Sequence, residues 1–149
     1  MPTLSLPPLR GNFVLVRADG LRLLFPQEQV GAAGYLEGRP EPGAEPGLLR
    51  LPSESEEQSY AALSSEMTLL PECPPERFVV TRLGDGAGGI GWCWNELQVL
   101  IGIELQPRPL PACLVAPTTP ALSYVEHGGE LAFVCDAQRL HDFALARRS

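Results

Sequence analysis

Apolar residues in this chain gather in short runs of β-formers, and turn residues separate the runs. Residues 13–17 and 21–25 flank Asp19-Gly20, and an Asp-Gly pair between apolar runs is the strongest short-range hairpin signal. Pro26 ends that ladder, because proline has no N–H to give. Residues 27–36 read either as a further strand or as an irregular turn. The Gly- and Pro-rich stretch 38–47 predicts a loop. A brief strand over 48–51 precedes an acidic tip at 53–57, and 60–63 returns as its partner. Residues 64–70 offer a single helical turn, with Ser64 or Ser65 as N-cap. Phe78, Val79, Val80 and Thr81 are β-formers and predict a strand over 77–83. A hairpin over 83–90 joins it to a Gly-flanked strand at 90–97. A second β-rich run, 99–103, leads through a proline-spaced crossing at 106–111 to a second hairpin. Its strands, 123–126 and 130–135, meet at His127-Gly128-Gly129. Asp136 is placed to cap a terminal helix over 137–146. Leu140, Phe143 and Ala144 form its apolar face, and Arg147 and Arg148 suit its negative pole.

This order is mostly β with one helix. It lacks the alternation of strands with long helices that builds α/β folds. The chain has 149 residues, enough for one domain with a proper core and no metal or disulfide staples. Residues 1–11 are Pro-rich and read as an N-terminal arm, leaving 12–149 as a single domain. The Pro-rich stretch 71–75 reads as a crossing between two subdomain halves that divide near 71–76. Neither half is long enough for an ample core of its own.

Composition narrows the function classes. An apolar fraction of 44% excludes wholesale disorder, and 16 Pro with 15 Gly suit short strands joined by tight turns. The formal charge is −7, which disfavours nucleic acid, whose phosphates demand a basic surface. It equally disfavours docking on an anionic membrane surface. No apolar run approaches the roughly 20 residues needed to span a bilayer. Residues 1–8 lack a basic segment and a continuous apolar core, unlike a secretory signal. The expectation is a cytoplasmic, soluble protein. Cys73, Cys93, Cys113 and Cys135 show none of the paired spacing of structural zinc sites. Scattered thiols in such a chain read as reduced, buried small hydrophobes.

Candidate chemistry is sparse. Residues 84–89 match G-x-G-x-x-G, but a dinucleotide site needs a helix to begin there. The following Ile90-Gly91-Trp92-Cys93-Trp94 reads as strand, so a hairpin loop is the expectation. A Cys135–His141 dyad lacks a third group to orient the imidazole, and His141 is expected in solvent. The acidic run at 54–57 has neither the spacing nor the glycine of a calcium loop. Trp92 and Trp94 lie on one side of a strand and fill a core or an inter-barrel seam; an exposed one would be an interface anchor. No catalytic, metal or cofactor site is expected. A small-ligand-binding β-barrel is the alternative function, and it requires a concave pocket with convergent polar groups.

The segment from Gly89 to Leu140 resembles the second half of CheW-like domains, the adaptor modules of bacterial chemosensory arrays. Gly91 and Trp92 sit where that family has Gly-Leu, with Asn95 in place of its usual Asp. The Pro107, Pro109 and Pro111 crossing resembles its "P-x-P" element, and Asp136 and Leu140 sit at the Asp and Leu of its ending. Residues 12–35 resemble its opening hairpin and following segment. The family's "G-V-x-N-L-R-G" element is matched by residues 47–53, with Pro52 where the arginine belongs and Arg50 two places early. The resemblance implies two small packed β-barrel (SH3-like) subdomains and a non-enzymatic signalling adaptor of a chemosensory or type IV pilus-type system. It implies three partner types: a chemoreceptor cytoplasmic tip, a histidine kinase regulatory domain and other CheW-like proteins. The matching segments would contact them through Val30, Tyr35, Leu36, Leu48, Leu49, Arg50 and Leu51. Pro52 in the arginine's place implies a specialised adaptor with altered partners. Leu49→Arg is expected to weaken partner binding without unfolding the protein.

Overall fold

The computed structural model describes residues 6–36, 38–43, 48–51, 59–64, 68–83, 90–110 and 121–146. Among these residues, eleven strands form two sheets, and one helix follows them. β1 (Leu9–Ala18) and β2 (Leu21–Pro26) make the expected hairpin, with Ala18 paired to Leu21. Asp19 takes a left-handed φ of 57° at its tip, a conformation its short polar side chain tolerates. Pro26 does not end the ladder one residue early, since it still faces Phe13. It begins instead a 3-10 turn, Gln27–Gln29, that hands the chain to the second sheet as β3 (Val30–Tyr35).

The two sheets are assembled from different parts of the chain than 71–75 would suggest. The first joins both ends of the described chain in the order β10-β11-β2-β1-β9, with β9 spanning Glu96–Leu105, β10 Ala121–His127 and β11 Glu130–Cys135. The second is made from the middle of the chain, in the order β3-β7-β8-β6-β5-β4. Its members are β4 (Glu41–Pro42), β5 (Leu49–Arg50), β6 (Ser59–Ala62), β7 (Val79–Leu83) and β8 (Ile90–Trp94). Residues 71–75 therefore connect two strands of one sheet and do not divide the molecule. The supposed arm is also shorter than expected, because Leu9, Arg10 and Gly11 pair with Leu105, Glu104 and Ile103.

Two local readings change. The strand expected over 90–97 breaks at Asn95, whose N–H donates to Arg17 O (2.8 Å) and whose Oδ1 accepts from Asp19 N (2.5 Å). The chain thus leaves the second sheet at Trp94 and enters the first at Glu96. Residues 63–64 and 68–69 pair as antiparallel chain: Leu63 bridges Leu69 and Ser64 N–H donates to Thr68 O. The ends of the stretch expected to form a helical turn thus pair as strands, and residues 65–67, with Ser65 as the alternative cap, lie outside the described residues. The helix, α1 (Ala137–Ala146), has the expected bounds.

Burial divides the apolar side chains into three clusters. One lies between the sheets and takes Val14, Val16, Leu23 and Phe25 from the first and Leu83, Ile90, Trp92 and Trp94 from the second. Both tryptophans are thus core residues and not interface anchors. Leu140 of α1 joins the same cluster. A second cluster belongs to the first sheet alone, with Phe13, Leu15, Leu24, Leu100, Val125 and Val134. The third belongs to the second sheet and the segments beside it, with Leu49, Leu51, Tyr60, Ala62, Cys73 and Cys93. Alternation along β1 supplies two of them at once, Val14 and Val16 to one face and Phe13 and Leu15 to the other. Each sheet thus buries apolar side chains on both faces.

A candidate docking groove

The most exposed large apolar residue of the expected contact set is Tyr35, at the end of β3. β3 is an edge strand of the second sheet and, among the described residues, pairs only with β7. Opposite Tyr35 the chain enters β7 through Phe78, and Leu36 N–H donates to Phe78 O (2.8 Å). That bond brings the two rings into a stacked pair with centroids 6.0 Å apart and an interplanar angle of 25°. Tyr35 is 75% exposed and Phe78 48%, so the pair presents a flat aromatic surface to solvent.

The pair forms one wall of an open groove of about 850 Å³ that runs from β3 across to β1 and β9. Ala33 and Gly34 line it, and their small size leaves it open; a Cβ built on Gly34 would meet nothing within 4 Å. Leu97 and Gln98 line it from the first sheet. Charges stand at its rim in pairs. Arg22 meets Glu130 at 3.3 Å and donates to His127 O at 3.1 Å, while Arg17 meets Glu96 at 3.2 Å. Both carboxylates are open to solvent, so the pairs contribute little stability, but they set a polar frame around an aromatic centre. That is the usual anatomy of a protein contact site.

The expected contact residues separate on burial. Tyr35 is open, while Val30, Leu36, Leu48 and Arg50 are half-buried. Val30 and Leu48 pack against the inter-sheet cluster, and Leu36 against that of the second sheet. Leu49 and Leu51 are 2% and 3% exposed and cannot meet a partner without unfolding. Leu49→Arg is accordingly a core substitution, not the surface probe expected. Pro52, the acidic tip at 53–57, the glycine-rich run at 84–89, Pro111, Cys113, Arg147 and Arg148 lie outside the described residues. Phe78 lines the groove beside Tyr35 but is absent from the set that sequence reasoning named. Its β-forming character is visible, but its stacking on Tyr35 depends on a pairing between strands far apart in the chain.

The chemical candidates also take definite places. Cys135 is buried, and burial, followed by the charge of Asp136, pushes its thiol far above the ordinary range. It stays protonated, the opposite of what a nucleophile needs. His141 is half-buried and not in open solvent as expected, and its Nδ1 is buried without a hydrogen-bond partner among the described residues. Among the described residues no cluster of three His, Cys, Asp or Glu could hold a metal ion, and no helix is long and apolar enough to cross a membrane. The chain matches no protein-family model and no curated protein.

Proposed function

We propose that this chain is a divergent CheW-like adaptor, a non-enzymatic module that joins signalling proteins of a bacterial chemosensory or type IV pilus-type system in the cytoplasm. In this reading its two sheets are small SH3-like barrels packed face to face. The observation that carries it is the three-cluster core: each sheet has an apolar cluster of its own and shares a third with the other. Two curled sheets require that arrangement, whereas a flat sandwich needs only the shared layer. The bridge between Arg108 and Tyr124 supports the curl in the first sheet, since it ties the chain leaving β9 to the far-edge strand β10. In the second sheet, Leu36 packs against the cluster that holds Leu49 and Leu51, although β3 and β5 lie far apart in strand order.

The resembling residues also have structural jobs consistent with the family's ending. Asp136 caps α1 through Arg139 N–H (3.1 Å), and Leu140 closes the inter-sheet cluster. Partners of the types implied (receptor tip, kinase regulatory domain, other CheW-like modules) would dock on the groove headed by Tyr35 and Phe78. Aromatic anchors commonly carry most of the free energy of such contacts.

Titration calorimetry against the kinase regulatory domain encoded nearest to this chain in its genome tests the reading. Saturable binding at micromolar affinity or tighter is expected, and Tyr35→Glu should weaken it by roughly tenfold or more. Full-strength binding of the variant would move the docking face elsewhere. An absence of heat at several temperatures with the unmodified chain would sink the kinase-coupling role.

A further inference from the structure

The two edges of the first sheet differ. At one edge, β10 is tied to the chain leaving β9 by two hydrogen bonds between Arg108 and Tyr124, at 2.8 and 3.0 Å. At the other edge, residues 96–101 of β9 pair with β1 alone among the described residues. Edge strands commonly carry charges or proline against unwanted pairing, yet Leu97-Gln98-Val99-Leu100-Ile101 has neither. Side chains alternate along this run. Leu100 turns into the first sheet's own cluster. Leu97 and Val99 face the other way, because they lie opposite Val16 and Val14 of the inter-sheet cluster. The second sheet does not cover that face out to the edge, since Val99 is 47% exposed and Ile101 63%. Just beyond, Gly102 takes a left-handed φ of 60° and gives its N–H to Asn12 Oδ1 at 2.8 Å. The pairing shifts there, and the bulge ends the regular run.

We propose that two copies of this chain associate through this edge, β9 pairing antiparallel with its twin across a two-fold axis centred on Val99. Alternation leaves few registers. Directly opposite residues must share a face, so the axis passes through a residue and not between two. Centred on Gln98, the pair sets Ile101 opposite the polar Asn95. Centred on Leu100, it runs across the bulge and sets Glu96 opposite Glu104, like charges that repel. Centred on Val99, it sets Leu97 opposite Ile101 on both sides and Val99 against itself. Three apolar side chains from each copy then form one continuous layer, and Glu96 meets only Gly102. Because the β10 edge is tied, the assembly closes at two chains and offers no second open edge for growth. This association does not depend on what docks on the Tyr35 groove.

Sedimentation equilibrium of the intact chain at graded concentrations tests this. The average mass should climb from that of one chain to that of two and stop there. Ile101→Lys and Val99→Lys alter exposed side chains, and the second sets two like charges on the axis. Each should hold the chain as a monomer at every concentration, with an unchanged far-ultraviolet dichroism spectrum. Tyr35→Glu, in the groove, should leave the dimer intact. Mild oxidation reads the register: Val99→Cys should link two chains through position 99 faster than Ile101→Cys links them through position 101. A single-chain mass at all concentrations would overturn the proposal. So would a dimer lost with Tyr35→Glu but kept with both lysine variants, or faster linkage through position 101 than through 99.

Discussion

At the scale of single residues, close packing and buried polar groups decide which positions resist change. Gly91 lies under the Tyr60 ring, and a Cβ there would come within 2.9 Å of Tyr60 Cδ1 and 3.0 Å of Val80 Cγ1. Both neighbours sit on flanking strands, so neither can retreat cheaply. Gly91→Ala should cost about 1–3 kcal/mol, the usual range for overpacking a tight core, as measured by urea denaturation; an unchanged midpoint would mean the ring swings aside. Trp94 donates its indole N–H to Thr81 Oγ1 at 2.8 Å, with both side chains buried. Thr81→Val keeps the shape but leaves that donor unpaired, an expected loss of about 1–3 kcal/mol. Arg77 is held by Asp19 at 2.9 Å, where the arginine is buried and the carboxylate half in solvent. Asp19→Ala strands the buried charge. Because water screens the carboxylate, the loss should be about 1–3 kcal/mol, below that of a fully buried pair. A double-mutant cycle with Arg77→Met checks it: the second change should recover part of the loss, and simple additivity would mean the pair is uncoupled.

At the scale of elements, α1 shows why some boundaries were legible and others were not. Its start is written locally. Asp136 accepts from Arg139 N–H, and the apolar residue Leu140 falls at helical spacing. The cap also has a part no local signal reveals, since Gln29 Oε1 accepts from Ala137 N–H at 2.8 Å. Asp136→Ala should cost about 0.5–2 kcal/mol, whereas Asp136→Asn should retain most of the stability; equal losses in thermal melts would mean that charge, not capping geometry, matters. The Asp19-Gly20 and Gly128-Gly129 hairpins were legible for the same reason: each turn's φ > 0 requirement appears in its residue types. By contrast, Asn95 is not a strong breaker in sequence. It ends β8 because Arg17 and Asp19, both remote in the chain, take up its polar groups. The helical turn expected over 64–70 is likewise displaced at its ends, where Leu70 N–H is claimed by Ala62 O and Ser64 pairs with Thr68. The aromatic wall of the groove escaped notice for a related reason. Tyr35 was on the expected surface, but Phe78 reaches it only through the β3–β7 pairing.

At the scale of the whole molecule, the connection of the sheets makes the chain a single cooperative unit. Proline punctuation at 71–75 suggested two halves, yet the central strands of the first sheet, β2 and β1, lie between β11 and β9, which come from the other end of the chain. Sheet membership depends on pairings of high sequence separation, which local composition does not encode. The inter-sheet cluster adds to the coupling, because Trp92 and Trp94 from one sheet pack with Leu23 and Phe25 of the other. Cutting the chain between residues 70 and 71 therefore leaves neither piece with a complete sheet. The piece from 71 to 149 keeps β9, β10 and β11 but loses the two strands that join them. It would expose the apolar faces of Leu100, Val125 and Val134, which the second cluster buries. Expressed separately, each piece should lack near-ultraviolet circular dichroism and dispersed amide resonances, and mixing them should restore both. The intact chain should unfold with coincident transitions by tryptophan fluorescence and far-ultraviolet dichroism, as a two-state domain does. A 71–149 piece that folds alone would mean that the two halves of the chain are separable after all, and a fluorescence transition displaced from the dichroism one would mean that the domain is not one cooperative unit.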